Sequence, residues 1–194
     1  MNVSQSIQRV HCRALRRSLS PEYRQWASNE ICQKLKGLSA SAQHIGVYLA
    51  MDEEVDLTSF LNWALEQKKK LYAPVIQKSL ALERSLKFFL ISSETRYEKG
   101  SFGIREPIFH ENMTGFPFAD LDLVCVPLVA FDASKNRIGM GSGFYDRVLG
   151  PCSKKLKRPR LIGCAFDCQR VEKIKLEAWD IPMDEVVCES SLYL

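Results

Sequence analysis

Apolar and polar residues repeat with two different periods along this chain, and the changes of period mark its elements. Ser20-Pro21-Glu22 has the form of a helix start: a serine cap, a proline in the first helical position and an acid in the first turn. Behind it Tyr23, Trp26, Ala27, Ile31 and Leu35 approximate one apolar face. His44-Ile-Gly-Val-Tyr-Leu-Ala50 is an unbroken run of strand length, with the acidic Met51-Asp-Glu-Glu-Val55 at its carboxyl end. Leu57, Phe60, Leu61, Ala64 and Leu65 keep the helical period, which predicts an amphipathic helix from Asp56 to Lys68. Leu71 to Ile76 then reads as the next strand. A strand–helix–strand order predicts a parallel pair.

Further strands are predicted at Leu86 to Ile91, Leu121 to Pro127 and Leu161 to Phe166. Ser142 to Leu149 reads as a helix capped by its serine, so the glycine-rich Gly139-Met-Gly-Ser-Gly143 joins a strand to a helix N-terminus. In open α/β sheets, ligands sit at the carboxyl ends of the strands. Both the acidic Met51–Val55 segment and the glycine loop occupy such ends and are expected to face one cleft. Ser92 to Gly115 and Gly150 to Arg160 read as surface excursions. With no repeat or long linker, residues 1–194 read as one α/β domain, a three-layer sandwich around a largely parallel sheet.

Composition narrows the class. The 194 residues are 46% hydrophobic and 26% charged, the balance of a globular protein, and no apolar run approaches a membrane span. Met1 to Arg17 lacks the apolar block and cleavage site of a secretory signal and reads as an amphipathic helix. Seven cysteines, an odd number with no CxxC pair, argue against a disulfide framework or zinc site and for a reducing cytoplasm. The three histidines lie far apart in the sequence, which disfavours a histidine-based hydrolase. A net charge of +4 is mild and fits a small anionic ligand as well as nucleic acid.

The strongest chemical signal is Arg137-Ile-Gly-Met-Gly-Ser-Gly-Phe-Tyr-Asp-Arg147. Glycines at alternate positions let a ligand approach backbone N–H groups, and flanking arginines hold negative charge against them. The pattern reads as a phosphate cradle, although glycine also serves a merely tight turn. It is neither a P-loop, lacking the Gly-Lys-Ser/Thr ending, nor the GxGxxG dinucleotide fingerprint. Asp146, beside the cradle, suits Mg2+ held jointly with phosphate oxygens, or simply an acid near a helix N-terminus. Glu54 can accept a pair of heterocycle N–H bonds, the alternative being a solvated acidic loop. Phe144 and Tyr145 can stack on a planar ring or pack in the core. Arg9, Arg13, Arg16 and Arg17 recur at helical spacing, which by default is a solvated face. The Lys154–Arg160 run has no interleaved aromatic residues and reads as a solvated loop rather than a nucleic-acid site.

Taken together, these segments resemble the 5-formyltetrahydrofolate cyclo-ligase family. Val126-Pro-Leu-Val-Ala-Phe-Asp132 and Asn136 to Arg147 stand in the family's order. Upstream lie Tyr48-Leu-Ala-Met-Asp-Glu-Glu-Val-Asp56 and Gly103-Ile-Arg-Glu-Pro107; downstream lie Gly163-Cys-Ala-Phe-Asp-Cys-Gln169 and Glu177-Ala-Trp-Asp-Ile-Pro182. The likeness spans essentially the whole chain. It implies a sandwich related in architecture to sugar-phosphate isomerases and CoA transferases. It also implies an ATP- and Mg2+-dependent enzyme that turns 5-formyltetrahydrofolate into 5,10-methenyltetrahydrofolate, releasing ADP and phosphate. In the family, the formyl oxygen attacks the γ-phosphate to give a phosphorylated imidate, and the side-arm nitrogen then closes the ring as phosphate leaves.

Residue by residue, the resemblance puts Arg137, Ile138, Gly139, Met140, Gly141, Ser142, Gly143, Phe144 and Tyr145 at the nucleotide, with Arg9 touching ATP. Met140 to Phe144 also meets the folate. Glu54 binds the pterin, with Leu49 lining that pocket. Asp146 and Asp180 match the magnesium-associated acids, and Arg137, Tyr145 and Asp146 are the catalytic candidates. Two positions depart from the family's pattern: Gln5 stands where the family often has lysine, and Ser142 where some members carry one. A monomer, with neither membrane nor nucleic-acid partner, is expected. The alternatives are a non-catalytic folate- or nucleotide-binding module, or an isomerase or transferase of the same architecture.

Overall fold

In the computed structural model the described residues are 3–51, 53–78, 84–100, 103–108, 114–150 and 158–194. The first helix, α1 (Val3–Ser18), turns Cys12 and Arg16 inward and leaves Ile7 and Val10 exposed, so its polar side faces the body. In α2 (Pro21–Leu38) the Ser20 side chain accepts the Tyr23 N–H at 3.1 Å, the predicted cap. Its buried face is Ala27, Ser28, Ile31, Cys32 and Leu35. Tyr23 and Trp26 fall off that face: they are exposed, tilted rings 5.3 Å apart, and the Tyr23 hydroxyl donates to Glu189 at 2.8 Å.

Strand β1 (His44–Gly46) is shorter than its apolar run. Val47 N–H still donates to Tyr72 O at 2.8 Å, but residues 47–50 then leave the ladder, Tyr48 and Leu49 lining a cavity instead. Helix α3 (Thr58–Glu66) is framed by Asp56, whose carboxylate accepts from the Thr58 N–H at 2.9 Å and hydroxyl at 2.6 Å. It is followed by Lys68 in the left-handed region (φ 58°). Strand β2 (Lys70–Lys78) pairs parallel with β1, as the strand–helix–strand order predicts, and antiparallel with β3 (Arg84–Ile91).

Two short strands, β4 (Tyr97–Lys99) and β5 (Arg105–Pro107), form a hairpin inside the predicted excursion. Strand β6 (Leu123–Pro127) leads into a second hairpin, β7 (Ala130–Phe131) and β8 (Arg137–Ile138). Then come α4 (Phe144–Leu149), β9 (Arg160–Cys164), β10 (Glu185–Val187) and β11 (Leu192–Tyr193). The main sheet has seven strands in the order β11-β10-β9-β6-β1-β2-β3, the middle five parallel and the two edges antiparallel. One face packs Ile45, Leu71 and Leu123 under Ile31, Leu35 and Phe60 of α2 and α3. The other packs Val124, Val126 and Leu161 with Phe88, Leu149 and Phe131. Burying such side chains is worth about 1.5–3 kcal/mol each. No helix among the described residues is long and apolar enough to cross a membrane.

Candidate active site

The glycine loop does not follow a strand of the main sheet. It leaves the β7–β8 hairpin, and that hairpin is pinned from below by Asp132, a buried carboxylate. Asp132 accepts the Ser134 and Asn136 N–H groups at 3.0 and 3.1 Å and the Asn136 side-chain amide at 2.9 Å. It also accepts Ile174 N–H at 2.9 Å, tying the hairpin to the segment that runs on to Asp180. Buried Gln169 adds a second clamp, donating to Leu128 O and Val129 O at 2.5 and 3.1 Å. The loop is thus held at its base by satisfied buried polar groups.

Within the loop, Gly141 (φ 93°) and Gly143 (φ 65°) occupy the left-handed region that residues with a Cβ avoid. Gly143, not Ser142, is the residue before α4, and the predicted serine cap is corrected: the left-handed Gly143 starts the helix with no side-chain cap bond. The Ser142 carbonyl instead accepts from Arg147 Nη2 at 2.9 Å. Because α4 is six residues long, attraction for an anion rests on loop amides and arginines rather than on a long helix dipole.

Arg137 is 8% exposed and donates to the Asp146 carboxylate and to the Ile181 carbonyl, joining the loop to α4 and to the chain just past Asp180. Asp180 accepts Glu177 N–H at 2.8 Å and the Gln5 side-chain amide at 3.4 Å. Gln5 also donates to Lys175 O at 2.8 Å, so it fastens α1 to this segment. Arg9 Nε donates to Gly139 O at 2.8 Å, and burial pulls its pKa down.

Across the cavity, Glu54 accepts Met51 N–H at 3.1 Å. Burial pushes its carboxyl pKa up, opposed by that amide and by the Arg16 charge. Tyr145 packs against the apolar cluster, and burial and then the Glu54 charge hold its phenol far above the ordinary range. Tyr145 is therefore a neutral hydroxyl within reach of the Glu54 field.

Every residue expected at the site lines one cavity of about 1110 Å³: Arg9, Leu49, Glu54, Arg137 to Asp146, and Asp180. Its wall has two ends. Tyr48, Leu49, Glu54, Pro74, Ile76 and Leu86 form a mainly apolar end beneath β1, β2 and β3, and the last three are lining residues absent from the sequence expectations. The alternate spacing of Pro74 and Ile76 along β2 is the period-2 signal that marks a shared face. Gln5, Arg9, Arg137, Lys175 and Asp180 form a polar end. Arg13, Arg105, Glu106 and Trp179 complete the lining.

Three default expectations are corrected. The α1 arginines are not a solvated face: Arg16 is buried and bridges Leu128 O (3.4 Å) and Glu53 (3.6 Å), while Arg17 pairs with Glu53 and Arg9 and Arg13 reach the cavity. For the same reason the acidic segment is not a solvated loop, although Asp52 lies outside the described residues. Of the basic run, Lys154 to Lys157 also lie outside them. Arg158 forks onto Asp184 with both bonds at 2.6 Å, and Arg160 onto Glu185 at 2.7 and 2.9 Å, bracing β9. Among the described residues no three histidine, cysteine or acidic groups gather as a ready metal-ligand set.

A mostly parallel α/β sheet, with an arginine-flanked glycine loop and the half-buried Glu54 carboxylate lining one cavity, defines a class: an α/β protein with a large cavity of mixed polar and apolar lining. The chain belongs to the 5-formyltetrahydrofolate cyclo-ligase family, whose sequence profile matches residues 2–189. It is 32% identical to the 5-formyltetrahydrofolate cyclo-ligase of Haemophilus influenzae over 92% of this chain and 94% of that one. It is also 32% identical to the Escherichia coli K12 protein of the same name, over 93% and 98%. The solved 5,10-methenyltetrahydrofolate synthetase of Aquifex aeolicus superposes with a TM-score of 0.80 at 30% identity, covering 97% of this chain and 91% of that one.

Proposed function

We propose that this protein is an ATP-dependent 5-formyltetrahydrofolate cyclo-ligase, forming 5,10-methenyltetrahydrofolate with release of ADP and phosphate. Enzymes of the family take ATP and 5-formyltetrahydrofolate. The observation that carries the reading is the convergence of Glu54, the Arg137–Asp146 stretch and Asp180 on one cavity, though they come from three distant stretches of chain.

In this reading the pterin lies at the apolar end, with its paired N–H donors on Glu54 and Leu49 against the ring. The triphosphate lies along the loop amides, Arg137 and Arg9. Met140 to Phe144 then forms the wall shared by the two substrates. An amide-like formyl oxygen is a poor leaving group, so transfer of the γ-phosphoryl group onto it, with ADP leaving, lets it depart as phosphate when the ring closes. Phosphoryl transfer is mostly positioning and charge neutralisation. Arg137 is pre-aimed for this by its bonds to Asp146 and Ile181 O, and Tyr145, kept neutral, offers a hydroxyl donor to the cavity.

The chemistry of the donor set fits Mg2+. Asp146 and Asp180 are hard carboxylates on the polar wall, each with one oxygen already engaged, and Mg2+ commonly binds through one or two carboxylates with phosphate oxygens and water. They would hold the ion, which supplies charge neutralisation to the phosphates when bound. The deciding experiment follows the absorbance of methenyltetrahydrofolate as it forms from 5-formyltetrahydrofolate. Formation with MgATP and none without it is expected; an absorbance change independent of ATP would point to an isomerase- or transferase-like activity instead.

A further inference from the structure

The roles assigned so far place the phosphates and the pterin; of the aromatic residues that the family resemblance puts at the nucleotide, Phe144 carries the Arg147 guanidinium and Tyr145 packs into the apolar cluster, which leaves the purine without a platform. We propose that Trp179 is the platform on which the nucleotide base stacks, an inference that rests on the reading of the polar end as the ATP site.

Four aromatic side chains line the cavity among the described residues, and three are already engaged. Tyr48 is buried, its hydroxyl donating to Val55 O at 2.8 Å. Tyr145 packs into the apolar cluster at the Glu54 side. Phe144 carries the Arg147 guanidinium 5.2 Å from its ring centroid. Trp179 is different. It is 66% exposed, yet it lines the cavity.

The turn that carries it is rigid. Asp180 N–H donates to Glu177 O at 3.0 Å, Glu177 N–H donates to the Asp180 carboxylate at 2.8 Å, and Gln5 reaches across from α1 to the same carboxylate. Two residues further on, Ile181 O receives Arg137. An indole is therefore held in the lining at the polar end, next in the chain to Asp180. A large ring exposed on a well-braced turn at the edge of a cavity presents a face on which a planar group can stack. A planar base tethered to the phosphates is the occupant whose dimensions and position follow from the site.

Base–aromatic stacking gives a definite expectation: Trp179→Leu weakens ATP binding about tenfold. Inorganic tripolyphosphate, which has no base, binds the wild type and the variant equally. Trp179→Phe recovers most of the loss, and the preference for ATP over UTP shrinks in Trp179→Leu. Tryptophan fluorescence gives a direct signal: ATP quenches the wild type, and the quench disappears in Trp179→Leu, which keeps Trp26 and Trp63. Equal ATP affinity in wild type and variant overturns the proposal, as does a parallel loss of tripolyphosphate binding, which would mean that Trp179 only shapes the turn. A wild type that binds neither ATP nor tripolyphosphate overturns the reading of the polar end itself, a different and recognisable failure.

Discussion

The Glu54 carboxylate accepts the Met51 N–H and is otherwise presented to the cavity, with its pKa raised by burial. Only its ionised form accepts two N–H bonds from a pterin. The folate KM should therefore fall as pH rises through a value above the ordinary glutamate range, and Glu54→Gln should abolish that limb while raising the folate KM far more than the ATP KM. The stability sign runs the other way. A raised carboxyl pKa means that the folded chain holds the proton more tightly than the unfolded one, so wild type loses stability relative to Glu54→Gln as pH climbs through that interval. Equal KM effects on both substrates would remove Glu54 from the pterin. Arg137 belongs to the same scale: its two bonds go in two directions, and a guanidinium fork makes both where an ammonium does not. Arg137→Ala should lower kcat on the order of 10²–10³-fold, with Arg137→Lys a poor rescue; unchanged steady-state kinetics would dismiss the role. Asp146→Asn should weaken the Mg2+ dependence, visible as a right-shifted metal titration.

At the scale of elements, the β7–β8 hairpin makes the loop a site. Asp132→Ala would strip acceptors from three backbone N–H groups in a buried turn, at a cost of about 3 kcal/mol. That predicts a Tm lower by roughly 6–12 °C and raised KM values for both substrates, because the loop borders both; a melt within a degree or two of wild type would show that the turn stands without the carboxylate. The same hairpin marks the limit of what was legible in the sequence. Helices α2 and α3 and strands β2, β3, β6 and β9 announced themselves because each is long enough to show a period, and the glycine motif showed itself through residue type. The hairpins β4–β5 and β7–β8 have strands of two or three residues, too short for any alternation to register. Their existence rests on contacts such as Asp132 with Ile174, 42 residues apart. The misread start of α4 has a local cause: serine is the better cap by type, but the left-handed Gly143 decides where the helix begins. Likewise the α1 arginines looked solvated because their partners, Glu53 and the carbonyls of Leu128 and Gly139, lie far away in sequence.

On the scale of the whole molecule, α1 stands apart from the core it crosses. Helix α2 buries Ala27, Ile31, Cys32 and Leu35 against the sheet, whereas α1, from Ser4 on, sinks Cys12 and Arg16 and turns Ile7 and Val10 outward. Its grip on the body is polar and spread out: Gln5 on Lys175 O and Asp180, Gln8 on Lys173 O, Arg9 on Gly139 O, and Arg16 on Leu128 O. Each such bond is worth about 0.5–1.5 kcal/mol net, against the larger return of burying a leucine or isoleucine side chain. The helix is therefore expected to open locally at lower free energy than α2 while the sheet stays intact. Two of those anchors, Gly139 and Asp180, are also residues proposed to meet the nucleotide. A ligand that binds the glycine loop and the Glu177–Asp180 turn only in the arrangement on which α1 docks favours the docked helix by mass action, so MgATP should hold α1 in place. Hydrogen exchange read at the α1 amides tests this: faster exchange than α2 in the free protein, slowing on addition of MgATP, with α2 unaffected. If α1 exchanges as slowly as α2 before any ligand is added, or does not respond to MgATP, then the helix is simply part of the core, and its contacts with Gly139 and Asp180 carry no coupling between nucleotide and fold.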